Sequence, residues 1–112
     1  MNQPAHVHED AVARAEFTDR WSKTLIGTPQ IPTAHGFNLG VAAYTSLQFG
    51  PEQVHDDQEA LYILSGIGEV RVAGKVIAAR PGLAIYLPPG TPHASRRTGS
   101  EPLKVLYTHA PA

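Results

Sequence analysis

The sequence contains no cysteine, and this absence limits the chemistry open to the protein. Disulfide bonds, thiolate metal sites and thiol nucleophiles are all excluded. A metal site, where one exists, must therefore use nitrogen and oxygen ligands. The sequence also lacks an excess of either charge, since it contains nine Lys and Arg residues and ten Asp and Glu residues. Since no overall field attracts nucleic acid, we expect no nucleic-acid partner.

Long hydrophobic runs are absent as well. No stretch approaches the roughly 18–20 apolar residues that a membrane-spanning helix needs. The N-terminus also lacks the basic segment and apolar run that are typical of a signal peptide. We therefore expect no membrane partner and, by default, a cytoplasmic protein.

Turn-forming residues, by contrast, are abundant. Ten Gly and ten Pro residues occur in a chain of 112 residues, of which 42% are hydrophobic. A chain of this size and composition is sufficient for one hydrophobic core. The frequent Gly and Pro residues indicate many turns between short elements. The sequence therefore predicts a single domain built from short segments.

Alternation of apolar and polar residues identifies most of these segments as β-strands. Residues 41–49 (VAAYTSLQF) place Val41 and its apolar neighbours on one face, and Tyr44, Ser46 and Gln48 on a more polar face. Further strands are predicted at residues 60–64, 69–72, 75–79, 83–87 and 104–108. The only plausible helix covers residues 10–21, and residues 1–20 are equally compatible with an extended arm.

Turn chemistry lies between the predicted strands. Ala73-Gly74 is typical of a hairpin turn. Residues 80–83 combine Pro with Gly in the pattern of a type II turn, and residues 88–91 repeat this pattern. Several short strands at such spacing predict an all-β sandwich or barrel.

Two stretches carry the residues of a known pattern. In the first, Gln53 is followed by His55, Glu59 and Gly66 at offsets of two, six and thirteen residues. The second contains four residues at the fixed spacing G-x5-P-x-G-x2-H, namely Gly82, Pro88, Gly90 and His93. Together they resemble the two motifs of the cupin family, G-x5-H-x-H-x3-E-x6-G and G-x5-P-x-G-x2-H-x3-N. Gln53 replaces the first histidine of that pattern and Arg97 replaces its final asparagine.

The resemblance implies a fold and a domain layout. Its fold is the cupin double-stranded β-helix, a jelly-roll barrel, which we expect over residues 31–112. Residues 1–30 would then form an N-terminal arm with the first strand or strands. Small single-barrel cupins commonly pair their sheets or exchange N-terminal strands, so the resemblance also implies a homodimer in which this arm takes part.

The resemblance also predicts one divalent metal ion bound by His55, Glu59 and His93. Two imidazoles and one carboxylate suit Fe(II), while Mn, Ni, Co and Zn are compatible with the same ligands. Gln53 shares strand parity with His55, so it either coordinates through its amide oxygen or binds a metal-bound water. A degenerate site that has lost its metal is a further reading.

Other residues are candidates to line the interior. Tyr44, Ser46 and Gln48 would do so if the polar face of their strand points inward. Ser95 and Arg97 share strand parity with His93, and His109 lies at the end of the last predicted strand. A buried Arg97 would favour a carboxylate-bearing substrate, whereas an exposed Arg96-Arg97 pair is an equally good reading. Asp56 and Asp57 are interpreted as solvated turn residues.

The predicted function follows from these residues and the family resemblance together. We expect a small metal-dependent enzyme, dioxygenase-like or an isomerase or decarboxylase, that acts on a small polar, oxygen-rich molecule inside the barrel. The fold does not choose among these reactions. The alternative is a non-catalytic module that binds or senses a small sugar or organic acid. Elemental analysis of the purified protein separates the two readings most directly.

Overall fold

The structure of the protein, a computed structural model, describes residues 4–112. Nine strands are present in this part of the chain: β1 Ala15–Glu16, β2 Arg20–Ile26, β3 Asn38–Tyr44, β4 Gln58–Ser65, β5 Gly68–Val72, β6 Lys75–Ala79, β7 Ala84–Leu87, β8 His93–Arg97 and β9 Leu103–Ala110. One turn of 3-10 helix, Glu9–Ala11, precedes them. No helix among the described residues is long and apolar enough to cross a membrane.

The strands form two antiparallel sheets that enclose one core. The larger sheet has the order β1-β2-β3-β9-β4-β7, and the smaller has the order β6-β5-β8. The core lies between them and contains side chains from both sheets, including Ile63, Leu103 and Val105 from the larger and Val70 from the smaller. This architecture is the jelly roll that the sequence predicted.

The turns follow the predicted chemistry closely. Ala73 and Gly74 both have positive φ, 49° and 80°, which is the conformation required between two hairpin strands. The backbone N–H of Leu83 donates to the Arg80 carbonyl at 3.2 Å. Thr91 closes the second Pro-Gly turn in the same way on Pro88, also at 3.2 Å. These two turns deliver β7 and β8 to the core.

Gly66 shows why the first motif ends in glycine. It has φ 82°, and a Cβ at this position would collide with the carbonyl oxygen of Pro102. Any other residue would therefore be strained by its backbone conformation and would also displace the chain before β9. Gly66 allows β4 to turn into the smaller sheet while β9 passes close by.

The helix predicted over residues 10–21 is wrong. This segment instead contains the last residues of the 3-10 turn, the short strand β1 and the start of β2, where Arg20 pairs with Tyr44. Backbone pairing with β3 satisfies its N–H and C=O groups, which outweighs its weak helical pattern. Residues 9–12 lie against the larger sheet, because Glu9 forms an ion pair with Lys104 at 2.9 Å and Val12 is buried.

The strand predicted over residues 41–49 has different bounds in the structure. It begins at Asn38 and ends at Tyr44. The chain turns after Tyr44, since the Thr45 N–H donates to the carbonyl of Asp19 at 3.0 Å and the Ser46 hydroxyl accepts from the Gln48 N–H at 3.0 Å. The residues of β3 that belong to the core are Ala42 and Tyr44, so the inward face is the one that the sequence marks as more polar, whereas Val41 and Ala43 are buried outside that cluster.

Candidate metal centre

Four side chains reach the same point in the interior from different elements. Glu59 is the second residue of β4 and pairs with His109 of β9 in the sheet register. His93 begins β8, and its backbone forms a two-way bridge with Gln53 through hydrogen bonds of 2.8 and 3.0 Å. His55 lies in the loop before β4, where its carbonyl accepts from the Gly90 N–H at 2.8 Å. The second Pro-Gly turn thus fixes the position of the first motif.

The carboxylate of Glu59 is the centre of this group. Its Oε1 lies 3.0 Å from Nε2 of His55 and 3.3 Å from Nε2 of His93. The other oxygen, Oε2, lies 3.2 Å from Nε2 of His109. Three imidazoles therefore turn the same ring nitrogen towards one carboxylate that is only 7% exposed.

Several of these atoms are buried without an aligned hydrogen bond. Nε2 of His55 and Oε1 of Glu59 have no aligned hydrogen-bond partner among the described residues, although the two atoms lie 3.0 Å apart. Buried polar groups in this state are costly unless something else satisfies them. A ligand atom from each of His55, Glu59 and His109 can be chosen so that all lie within 4.8 Å of one another. Imidazole and carboxylate donors at such spacing fit a first-row divalent ion.

His109 is the part of this cluster that the sequence analysis assigned differently. It was predicted to line the cavity, whereas the metal ligands were predicted to be His55, Glu59, His93 and Gln53. The structure places His109 with His55 and Glu59, and it keeps His93 within 3.3 Å of Glu59. The side chain of Gln53 lies on the wall of the adjoining cavity.

Asp57 lies in the turn before β4 with 34% of its side chain exposed, as the sequence predicts, and it also contacts the outer nitrogens of two imidazoles. Its Oδ1 lies 2.6 Å from Nδ1 of His55, and its Oδ2 lies 3.0 Å from Nδ1 of His109. Asp56, by contrast, is exposed as expected. Nδ1 of His93 contacts the Thr91 carbonyl at 3.0 Å. Each imidazole is thus contacted at Nδ1 while Nε2 faces Glu59, as in carboxylate–histidine–metal arrangements.

The electrostatics of the cluster favour an ionised carboxylate. Burial raises the pKa of Glu59, but the hydrogen-bonding and charge of His109 and His93 outweigh it and lower the pKa to about 2. Burial lowers the pKa of His109 and of His93, yet the nearby Glu59 carboxylate raises both above the ordinary histidine value. The carboxylate is therefore available as an anionic ligand over the whole neutral range.

A cavity of about 100 Å³ adjoins the cluster. Its wall is formed by the inward faces of four neighbouring strands together with the loop residue Gln53. The lining residues are Arg20, Ser22, Ala42, Tyr44, Gln53, Glu59, Leu61, Val105, Tyr107 and His109. Burial raises the pKa of Tyr44, although the charge of Arg20 opposes this shift, so its hydroxyl is protonated at neutral pH.

Of the residues predicted to line the interior, the structure brings Tyr44 and His109 to the cavity. Ser95 is buried, and its Oγ has no hydrogen-bond partner within residues 4–112. Ser46 and Gln48 lie outside, in the loop after β3, and Gln48 is exposed. Arg97 also points away from the cavity.

The Arg97 guanidinium donates to the carbonyls of Thr45 and Gly99 at 2.8 and 2.6 Å. The cation in the cavity is instead Arg20, which the sequence analysis did not single out. The alternation of Arg20 and Ser22 along β2 is the signal that could have identified it, but the sequence predicts only an arm with the first strand or strands over residues 1–30, without bounds for a strand.

Comparisons with known proteins agree with this fold. A family model described as a cupin domain matches residues 46–109. An uncharacterised protein of Methanocaldococcus jannaschii is 35% identical over 57 residues, which are 51% of this chain and 46% of that protein. The matched part therefore spans less than half of that relative.

Solved structures resemble the protein over almost its whole length. The polyketide cyclase RemF from Streptomyces resistomycificus has a TM-score of 0.79 at 22% identity, covering 97% of this chain and 79% of that chain. An RmlC-like cupin from Shewanella frigidimarina has a TM-score of 0.78 at 14% identity, covering 98% and 93%. A predicted oxalate decarboxylase from Thermotoga maritima has a TM-score of 0.78 at 15% identity, covering 95% and 98%. At these identities the likeness shows the fold alone.

Proposed function

Because the chain belongs to the cupin domain family, we propose that it is a small metal-dependent enzyme that acts on a polar, oxygen-rich molecule inside the barrel. The observation that carries the proposal is the convergence of three imidazole Nε2 atoms on the buried carboxylate of Glu59. Two structural neighbours bear the names of enzymes, a polyketide cyclase and a predicted oxalate decarboxylase, which supports an enzymatic role.

In this proposal His55, Glu59 and His109 hold one divalent ion, and His93 is the fourth candidate ligand. The ion would be Fe, Mn, Ni, Co or Zn, since all accept imidazole and carboxylate ligands. A divalent ion supplies a Lewis acid for an oxygen atom of the substrate, and a redox-active ion also supplies electrons for dioxygenase-like chemistry.

The other residues of the cavity prepare the substrate. Leu61, Val105 and Ala42 form an apolar part of the wall that limits the water around the reacting group. Tyr44 is buried, with 6% of the residue exposed. Its hydroxyl is protonated at neutral pH, so it can donate a hydrogen bond to a substrate oxygen that gains negative charge. Asp57 keeps the imidazoles of His55 and His109 oriented.

Metal loading of matched variants tests the proposal. Protein purified without added metal would be incubated with Fe(II), Ni(II) or Zn(II), desalted and measured by elemental analysis. We expect one ion per chain in the wild type, and loss of that ion in His55→Ala, Glu59→Gln and His109→Ala. His6→Ala removes an exposed histidine far along the chain from the cluster and serves as the control.

Two results would argue against this function. If neither the purified nor the incubated protein holds an ion, the metal-dependent reading is wrong. If the ion binds but candidate substrates are recovered unchanged after long incubation, the protein is a non-catalytic binding module. If Glu59→Gln binds the ion with the affinity of the wild type, the assignment of Glu59 as the central ligand is wrong.

A further inference from the structure

Arg20 lies on the boundary between two spaces. It lines the inner cavity beside the metal cluster, and it also lines a wide outer groove of about 620 Å³. Gln53 is the other residue common to both walls. The rest of the groove is formed by Glu16, Phe17, Thr18, Asp19, Pro51 and Glu52. A small molecule that enters the cavity from this groove therefore passes Arg20 and Gln53.

The guanidinium of Arg20 is held in place but retains free donors. Its Nη1 donates to Oδ1 of Asp19 at 2.9 Å, and its Cζ lies 4.3 Å from the ring centroid of Phe17. Asp19 is itself buried and fills the space above Gly50, where a Cβ would collide with its carboxylate. Within residues 4–112, Asp19 is the only carboxylate at ion-pair distance from Arg20. An arginine has five N–H donors, so most remain available to a ligand.

The cavity wall carries polar groups of two kinds. Arg20 is the only permanent cation among its described lining residues, and Tyr44 and Gln53 add polar groups near it. Glu59 and His109 of the metal cluster contribute to the same wall. The cavity is small, about 100 Å³, so a ligand confined to it has few heavy atoms.

We infer that this cavity binds a small carboxylate anion, whose carboxylate pairs with Arg20 in the same wall to which Glu59 and His109 contribute. Carboxylates match the planar fork of an arginine better than neutral groups do, because two parallel charge-assisted hydrogen bonds can form. The inference rests on the proposed function in one respect, because it names the substrate class of the same site. The pairing with Arg20 itself requires no metal.

A ligand titration of the metal-free protein tests this pairing. After treatment with a chelator, the wild type would be titrated with glycolate and with glycolamide, its neutral analogue, and followed by ¹H–¹⁵N NMR. We expect glycolate to bind at least about 10-fold more tightly, the ratio typical of a hydrogen bond to a charged group. The Nε–H resonance of Arg20 should shift with glycolate and remain in place with glycolamide.

Three variants complete the experiment. Arg20→Gln should bring the two ligands to similar affinity, whereas Arg20→Lys keeps the positive charge and should retain a preference for glycolate. Arg97→Gln removes an arginine whose donors serve backbone carbonyls away from the cavity, and it should behave like the wild type. Should Arg20→Gln fail to fold because Asp19 loses its partner, the wild-type Nε–H shift and the lysine variant still decide the question.

The outcomes separate this inference from the proposed function. Equal affinity for glycolate and glycolamide in the wild type, or an unchanged preference in Arg20→Gln, overturns the carboxylate assignment even if the protein binds metal. If the preference depends on Arg20 but no metal is ever bound, the carboxylate site stands and the metal-dependent function fails.

Discussion

Replacement of Asp57 by Asn tests whether the outer contacts of the imidazoles prepare the site for metal. Asp57 lies 2.6 Å from Nδ1 of His55 and 3.0 Å from Nδ1 of His109, so one carboxylate serves two candidate ligands. Asn offers one carbonyl oxygen and one NH2 group. It can therefore accept from one imidazole only, and it presents a donor to the other.

The expected loss of metal affinity follows from the number of imidazole contacts that Asn cannot replace. Loss of one partner behind a ligating histidine typically weakens metal binding by about 10- to 100-fold. We therefore expect Asp57→Asn to lower Zn(II) affinity by a factor in this range, which corresponds to about 1.4–2.8 kcal/mol. The measurement is competition for Zn(II) against a chromophoric chelator at fixed pH.

The control is Asp56→Asn, which removes the same charge from the adjacent, exposed residue. A purely long-range charge effect would weaken binding equally in both variants. A second measurement, ¹⁵N NMR of the imidazoles in the metal-free protein, reports which ring nitrogen carries the proton. Wild-type His55 and His109 should be protonated at Nδ1, and Asp57→Asn should redistribute that proton. Equal metal affinity and equal imidazole spectra in the two variants would refute the reasoning.

Three further results are expected. A divalent ion at about 100 times its dissociation constant should raise the free energy of unfolding by about 2.7 kcal/mol in urea titrations. A chelator should abolish this gain. A gain of the same size in His109→Ala, at the same ion concentration, would contradict the assignment of His109 as a ligand. Leu103→Ala should cost about 2–5 kcal/mol because Leu103 is fully buried, whereas Val76→Ala, at a 52% exposed position, should change stability by less than about 0.5 kcal/mol. Gly66→Ala should lower the thermal midpoint clearly, since positive φ and the Pro102 carbonyl both oppose a Cβ, while Gly99→Ala, whose Cβ would meet nothing closer than 3.7 Å, should not.

The sequence predicts much of this fold because its signals are local. The hairpin at Ala73-Gly74 and the two Pro-Gly turns are specified by adjacent residues, and β6 has the predicted bounds. The sequence predicts β2 only as one of the first strands within residues 1–30, without bounds, because its first residues also fit a helical pattern. Its extended conformation depends on pairing with β3, and such pairing is a property of the whole sheet.

The candidate site was predictable only in part, for a similar reason. His55 and Glu59 are close in sequence and belong to one motif, so their spacing predicted a shared site. Glu59 and His109 meet because β4 and β9 pair in a particular register. This register cannot be predicted from the residues between the two strands. The contact of Asp57 with His109 depends on the same register.

The two sheets contribute unequal parts of the metal cluster. Glu59 and His109 belong to the larger sheet, whereas His93 is the first residue of β8 in the smaller one. If His93 joins the coordination sphere, an ion would act as a cross-link between the two sheets, in addition to the apolar core that lies between them. Bound metal would then slow the local separation of the two sheets near the cluster. Amide hydrogen exchange measures such local opening. Protection should increase most for the amides of β8 and least for those of β6, at the far edge of the smaller sheet.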